Sequence, residues 1–203
     1  MGLLRRQPAG GSRGSGGSGN APATDGINFY PFDPWVDRVS NGIAVTALTT
    51  YIGGLYKAAT QLEFNRLVFN CQTFTSNIAA VVALYQSADG TSVPPFALNS
   101  TWGVTVTAAG SFSALRIDGG GNAVILPGMF FGLWGRNGAG TAAITCVNTP
   151  TVQGLTLAPI PAGSFPISFS TAIAVTAAPP ASIDPTTFTD AANRIIELRS
   201  RRL

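Results

Sequence analysis

Few side chains in this sequence could carry out chemistry. Its 203 residues include no histidine, two cysteines and nine carboxylates. General acid–base catalysis at neutral pH most often uses histidine, and a pair of carboxylates is the usual substitute. The aspartates that come into question are Asp33, Asp37, Asp89, Asp118 and Asp184. Because nothing in their spacing makes them a pair, we interpret them as surface turn carboxylates, and we expect no enzyme activity, no catalytic residue and no cofactor.

The two cysteines, Cys71 and Cys146, both lie in apolar, strand-like contexts. Without a CxxC spacing and without histidine, a zinc site or other metal site is not expected. The two thiols can pair only if the fold brings their Cα atoms within about 7 Å. Two buried free thiols is the interpretation that we favour.

The composition is unusually neutral for a soluble protein. Hydrophobic residues make up 45% of the chain and charged residues only 10%, whereas a typical soluble domain is about 25% charged. The low charge indicates that part of the outer surface is covered by other subunits or partners. The alternative is that threonine, serine, asparagine and glutamine supply the polar surface.

The positive charge is concentrated at the two ends of the chain. The arginines in question are Arg5, Arg6 and Arg13 near the start and Arg194, Arg199, Arg201 and Arg202 near the end. The segment between, residues 27–190, is slightly acidic. Basic ends favour phosphate binding because they release condensed counterions, but three arginines are few for an arm that packages nucleic acid. We therefore expect a solubilising or docking tail and no nucleic-acid partner.

The chain divides into three parts by composition. Residues 1–26 form a basic Gly/Ser-rich arm that cannot bury enough apolar surface to fold alone, so we expect it to be flexible. Residues 27–150 form a strand-rich body, and residues 151–203 a Pro-rich extended segment with a closing strand. The body begins with a proline-interrupted aromatic segment that contains Phe29, Tyr30, Phe32 and Trp35. We expect it to pack in extended form on the body or on a neighbouring subunit.

The body predicts an all-β fold, a single jelly-roll-like antiparallel β-sandwich. Short apolar strands alternate with Gly, Pro and Asn turns, including the glycine cluster at 119–122. Residues 78–86 are apolar on both faces and predict a central strand, although a short buried helix would read the same way. Residues 129–135 predict a strand covered on both sides. In 62–71 the apolar positions change phase near Arg66, which indicates a bulge or two-sided burial.

The C-terminal end and the strand aromatics leave alternatives open. Residues 189–203 fit either a short basic helix or a strand, and their alternation favours the strand. Trp102, Phe130, Phe131 and Trp134 could line a sugar-binding face, although core packing explains at least half of them more simply.

No stretch is apolar enough to predict a membrane span, and no signal peptide is predicted. We therefore expect the protein to remain in the cytosol until it assembles.

Three stretches carry a resemblance to a known family. They are GLYKAATQLEFNRLVFNCQTF, VVALYQSADG and ILPGMFFGLWGRNGAG, within residues 50–150. Their succession resembles a β-sandwich module found at the tips of bacteriophage tail fibres and in other phage virion proteins. The resemblance implies a virion structural protein made in the host cytoplasm.

The short chain and the flexible arm favour a capsid decoration or cement protein among the virion proteins. Such a protein is expected to form a homo-oligomer, most simply a homotrimer, and to contact the major capsid protein. A tail-fibre tip that binds host-surface glycan and a jelly-roll coat protein are the alternatives. The residues expected to dock or assemble are those of the two basic ends and of the aromatic segment: Arg5, Arg6, Arg13, Phe29, Tyr30, Phe32, Trp35, Arg199, Arg201 and Arg202.

Overall fold

A computed structural model describes residues 27–29, 41–45, 50–58, 60–87, 94–137, 142–148, 168–190, 194–196 and 198–201. Its strands in the first half are β1 (Ile27–Phe29), β2 (Asn41–Val45), β3 (Thr50–Ala58), β4 (Leu62–Phe64), β5 (Arg66–Phe74), β6 (Ile78–Gln86), β7 (Phe96–Val106) and β8 (Gly110–Arg116). Those in the second half are β9 (Ala123–Ile125), β10 (Gly128–Asn137), β11 (Ala142–Asn148), β12 (Ser168–Ala174), β13 (Ser182–Ile183), β14 (Thr189–Asp190), β15 (Arg194–Ile196) and β16 (Leu198–Arg201).

The strands pair in antiparallel fashion into one large sheet and one small ribbon. The 14-stranded sheet has the order β1-β16-β5-β8-β7-β6-β10-β3-β12-β14. In addition, β11 pairs with β5, β2 and β15 each pair with β11, and β13 pairs with β7. The ribbon is formed by β4 and β9. A 3₁₀ turn, Pro185–Thr187, interrupts the strands. Within the described ranges no helix has the length and apolar character needed to cross a membrane. The prediction of an all-β antiparallel fold is confirmed.

A main core contains buried side chains from strands that are far apart in the sheet order. Its residues include Leu67 of β5, Leu84 of β6, Phe130 of β10 and Leu198 of β16, all at most 2% exposed. Aromatic pairs fill its centre, with Phe64 stacked on Trp102 at 5.3 Å between ring centroids and Phe69 against the edge of Trp134 at 4.8 Å. Because a single sheet supplies residues from so many strands to one cluster, the sheet must curl around it.

A second, smaller core lies on the opposite face of β6 and β10. In β6, Val82 and Leu84 belong to the main core, whereas Ala83 and Tyr85 belong to the second core. Phe131 and Leu133 of β10 also belong to the second core. Strands with apolar side chains on both faces must be covered on both faces. The predictions of a central strand at 78–86 and of a two-sided strand at 129–135 are therefore confirmed.

The cover of the second core is the segment 168–190, which we call the coda. Its Phe169 is fully buried against Phe131 and Phe188, at centroid distances of 6.0 and 4.9 Å. Two buried tyrosine hydroxyls bind its backbone, since Tyr51 donates to the carbonyl of Ala177 and Tyr85 to that of Pro180, each at 3.0 Å. Residues 168–190 of the Pro-rich C-terminal part therefore belong to the sheet and to the second core.

Two glycines of the neighbouring strands β3 and β10 make room for aromatic rings. A Cβ atom at Gly53 would lie 2.3 Å from the ring of Phe169, and one at Gly132 would lie 2.8 Å from the ring of Tyr56. Real Cβ atoms do not approach other atoms so closely. These glycines are thus explained by close packing of rings on the backbone, on one face of the sheet at Gly53 and on the other at Gly132.

The segment predicted as one strand, 62–71, is two strands. Leu62 and Phe64 of β4 are buried, Asn65 forms a bend, and the buried positions resume at Leu67 and Phe69 of β5. The change of phase near Arg66 is confirmed, but it is produced by a break rather than a bulge. The break lets β4 leave the large sheet and pair with β9, a strand that the sequence analysis did not predict.

The C-terminal end is extended, as its alternation predicted. β15 pairs with β11, and β16 lies between β1 and β5. Leu198 and Ser200 are buried while Arg199 between them is exposed. The preference for a strand over a short basic helix is therefore confirmed over 194–196 and 198–201.

Candidate assembly interface

Three of the ten residues expected to dock or assemble lie in the described part of the chain. Phe29 is in β1, and Arg199 and Arg201 are in β16. The other seven, namely Arg5, Arg6, Arg13, Tyr30, Phe32, Trp35 and Arg202, lie outside the described residues, as does the expected arm at 1–26.

The structure places the strand that follows the N-terminal basic segment beside the C-terminal basic strand. β1 pairs with β16 in antiparallel register, with Ile27 opposite Ser200, Asn28 opposite Arg199 and Phe29 opposite Leu198. The arginines of residues 1–26 lie outside the described residues. Sequence analysis found the two basic ends separately, and only the register shows that β1 and β16 are neighbours.

The surface beside this edge is the solvent-facing side of β5, β8 and β16, which we call the outer face. It comprises Arg66, Val68, Ser113, Leu115 and Arg199, all exposed or half-buried. Cross-strand partners in a sheet point to the same side. Arg66 is opposite both Leu115 and Arg201, and Val68 is opposite both Ser113 and Arg199. Two rows of cross-strand neighbours thus run from the basic strand β16 towards β8.

The far end of the outer face is apolar. Leu115 is 50% exposed, and Ile117, just after β8, is 56% exposed. The side chain of Ile117 lies over Gly103, which is itself the cross-strand neighbour of Leu115. The sequence analysis did not identify Arg66, Leu115 and Ile117 as neighbours on one surface. The exposed positions of the two strands alternate with buried ones, but their mutual register is not readable from either strand alone.

A network of hydrogen bonds holds the glycine loop that follows Ile117. Arg116 pairs with Asp118, with 2.5 Å between Nε and Oδ1, and also donates to the carbonyls of Gly121 and Asn122 at 3.0 and 3.1 Å. The Asn122 amide donates to Glu63 Oε1 at 2.7 Å. The loop therefore has its own polar framework, and Gly119, with φ of +77°, takes the left-handed conformation that the turn requires. The prediction that 119–122 is a turn is confirmed.

The environment of Asp118 lowers the pKa of its carboxyl group. Burial acts to raise this pKa, but hydrogen bonds from Arg116, Gly120 and Thr101, together with the charge of Arg116, outweigh it. The two backbone bonds are 3.1 Å from the Gly120 amide and 2.9 Å from the Thr101 amide. Asp118 is thus a structural carboxylate at the junction of β7 and the loop.

We expect Asp118 to make the protein sensitive to acid. A carboxyl whose pKa is lower in the folded state stabilises that state above its unfolded pKa, and the stabilisation is lost as pH falls through the folded value. Urea unfolding of the natural protein should therefore show a steeper loss of stability from about pH 5 to about pH 2 than unfolding of Asp118→Asn. Equal losses in the two proteins would contradict the role assigned to this carboxylate.

The four strand aromatics considered for sugar binding are core residues. Trp102, Phe130 and Phe131 are fully buried and Trp134 is 3% exposed. The indole nitrogen of Trp102 donates to Ser100 Oγ at 2.9 Å inside the main core. Because none of these rings presents a face to solvent, the interpretation of them as a sugar-binding surface is wrong, and core packing explains all four.

Cys71 and Asp184, two further residues considered for chemistry, have structural partners. The Cys71 thiol is free and buried and bonds the carbonyl of Thr73 at 3.0 Å. Burial raises its pKa, and the bond to Thr73 opposes that change. Asp184 accepts bonds from the amide and hydroxyl of Thr186, at 3.0 and 2.6 Å, and so caps the 3₁₀ turn. In the described part of the chain no three His, Cys, Asp or Glu residues are grouped so as to hold a metal ion. The side chain of Cys146 and the residues Asp33, Asp37 and Asp89 lie outside it.

Comparison with known proteins adds no family to this geometry. No protein-family model matches the chain, and no curated protein matches it. Function must therefore be argued from the fold and from the outer face.

Proposed function

We propose that the protein is a non-enzymatic structural protein of a bacteriophage virion, and that it works as a capsid decoration or cement protein. In this proposal the curled sheet is a jelly-roll-like sandwich, the assembled form is a homotrimer and the main partner is the major capsid protein. The protein would be made in the host cytoplasm and reside in the virion. The resemblance of the stretches within residues 50–150 to phage virion modules supports this assignment.

The observation that carries the proposal is the pairing of β1 with β16. A protein that bridges larger subunits needs a body that keeps its shape and chain ends that reach a neighbour from one place. The two cores and the bound coda supply such a body. The register of Ile27 with Ser200 places β1, the strand that follows the arm, directly beside the C-terminal strand. Chain ends of this kind gain order when they bind, which lets a small body hold a large partner.

The alternative of a glycan-binding fibre tip has less support. Its best candidates among the strands, Trp102 and Trp134, are in the main core. A coat protein that packages nucleic acid remains a distinct third class, and it predicts that the isolated protein retains nucleic acid. Ultraviolet absorbance of the purified protein separates this class from the first two.

Light scattering and shell binding test the proposed function. The full chain should have a mass three times its 20.9 kDa and should sediment with purified phage shells. The same chain without residues 1–26 should remain folded but bind shells more weakly, because the arm is lost. A monomer that does not bind shells would overturn the decoration proposal, and retention on a glycan array would then favour the fibre-tip class.

A further inference from the structure

The outer face combines positive charge and exposed apolar groups in one short row. Arg66 of β5 has Leu115 of β8 as its cross-strand neighbour on one side and Arg201 of β16 on the other. Beyond Leu115 the row continues to Gly103, which Ile117 covers. Adjacent strands in a sheet are about 4.8 Å apart. Basic and apolar residues are therefore immediate neighbours across these four strands.

The charge at the basic end of this row is larger than β16 alone provides. Residues 1–26 and 191–203 contain seven arginines and only two carboxylates, Asp25 and Glu197. β1, which directly follows the first segment, pairs with β16 of the second, whereas Arg194 belongs to β15, which pairs with β11. Arg66 and the exposed Arg199 carry positive charge on the outer face itself. Residues 27–190 are slightly acidic as a whole, so the positive charge of the outer face is opposite in sign to the net charge of that segment.

We infer that the outer face is the surface by which the protein docks, and that its partner is a protein surface that carries carboxylates beside apolar side chains. This inference rests on the proposed function and adds which side of the molecule meets the shell. Arginine guanidinium groups bind carboxylates with two parallel hydrogen bonds. Leu115 and Ile117 would lose their contact with water when the partner covers them, which favours association.

The exposed leucine and isoleucine favour a protein over a nucleic acid as the partner. Protein interfaces are enriched in arginine and contain large apolar side chains at their centre. Interfaces with nucleic acids are more polar and much more positively charged. Two half-exposed apolar side chains beside Arg66 would not contribute to the binding of phosphate. A carboxylate-bearing protein surface accounts for both components of the row.

Binding of model ligands tests this inference without the shell. The probes are three labelled chains of equal length: a peptide of glutamate and serine, a peptide in which leucines alternate with glutamates, and single-stranded DNA. Fluorescence anisotropy at low and at physiological salt measures their affinities. The full-length protein should bind the glutamate–leucine peptide most tightly. The double variant Arg66→Gln and Arg199→Gln should weaken binding of both peptides by about tenfold.

Two further variants separate the contributions of charge and apolar surface. Leu115→Ser should weaken binding of the glutamate–leucine peptide about fivefold and leave the glutamate–serine peptide unchanged. Arg136→Gln, on β10 rather than on a strand of the outer face, removes one positive charge and should change neither affinity. Arg66, Leu115 and Arg199 are exposed or half-buried in the structure, and thermal unfolding of each variant checks that the fold is retained.

Two results would overturn the inference. Tighter binding of DNA than of either peptide, with no effect of Leu115→Ser, would assign the outer face to nucleic acid. Equal binding by the natural protein and the Arg66→Gln, Arg199→Gln variant would show that this face does not dock acidic ligands. Shell binding distinguishes this inference from the proposed function. If all outer-face variants still bind shells, the assignment of the docking face is wrong, but the decoration role stands. If the natural protein binds no shells, the decoration role is wrong, but the peptide-binding result still holds.

Discussion

Replacing Phe169 with alanine is expected to destabilise the protein by about 3–5 kcal/mol. The ring is fully buried between Phe131 and Phe188 and lies on the backbone of Gly53. Its removal leaves a cavity in the second core, between Phe131, Phe188 and Gly53. Urea unfolding followed by tryptophan fluorescence measures the loss of stability, because Trp102 and Trp134 are both in the main core.

Hydrogen exchange shows whether the loss is local. We expect the amides of β12 to exchange faster in Phe169→Ala, while those of β5 and β8 keep their relative protection. Phe112→Ala is the matched control, because Phe112 is a partly buried phenylalanine that packs against the main core. Its loss of stability should be clearly smaller than that of Phe169→Ala, and β12 should remain protected. A Phe169→Ala protein as stable as Phe112→Ala would show that the second core does not hold the coda.

Adding a single methyl group at Gly53 is expected to destabilise the protein by about 1–3 kcal/mol. The new Cβ would lie 2.3 Å from the ring of Phe169 and 2.9 Å from Leu133 Cδ2. Both neighbours are fully buried, so neither can move aside freely. Gly53→Ala should therefore lose stability although alanine in place of glycine makes the unfolded chain less flexible. Urea unfolding measures the difference.

Another strand glycine provides the matched control. At Gly103 the atoms nearest to an added Cβ belong to Ile117, at 3.2 Å, and that residue is 56% exposed and able to shift. Gly103→Ala should therefore change stability by less than about 0.5 kcal/mol. The double variant Gly53→Ala, Phe169→Ala should lose less stability than the sum of the losses in the two single variants, because the methyl group enters the space that the ring leaves. Strict additivity would contradict the packing of Phe169 on Gly53.

The sequence predicted well those features that depend on neighbouring residues. The two-sided burial of β6 was visible because Val82, Ala83, Leu84 and Tyr85 are apolar in succession, and only a covered strand tolerates that pattern. The turn at 119–122 was visible because glycine and asparagine accept its backbone conformation. The C-terminal strand was visible because its apolar residues alternate with polar ones.

The features that depend on distant residues were not predictable in this way. The sequence of β10 does not explain Gly132, whose reason is the ring of Tyr56 on the neighbouring strand. The sequence predicts an extended C-terminal segment, but nothing near Phe169 indicates that it packs on Gly53, more than a hundred residues earlier. The sequence positions of the aromatic residues in β7 and β10 do not indicate which face of each strand is exposed to solvent.

The outer face was unpredictable for the same reason. Arg66, Leu115 and Arg201 come from three strands whose order in the sheet does not follow the chain. Each is an ordinary surface residue in its own strand, and only the pairing register makes them neighbours. The seven docking residues outside the described ranges stay predictions, as do the trimer, the glycan alternative and the partner on the shell.

The place of β16 between β1 and β5 determines when this part of the sheet can form. Among the described strands, β16 is the last along the chain, and it is hydrogen-bonded on one side to the first, β1, and on the other to β5. Strands so distant along the chain pair late in folding, because the entropy of closing the loop between them must first be overcome. A nascent chain that has not yet released residues 198–201 therefore lacks Arg199 and Arg201 and leaves this stretch of β5 without β16. If the outer face is the docking surface that we propose, that surface forms only after β16 has joined the sheet.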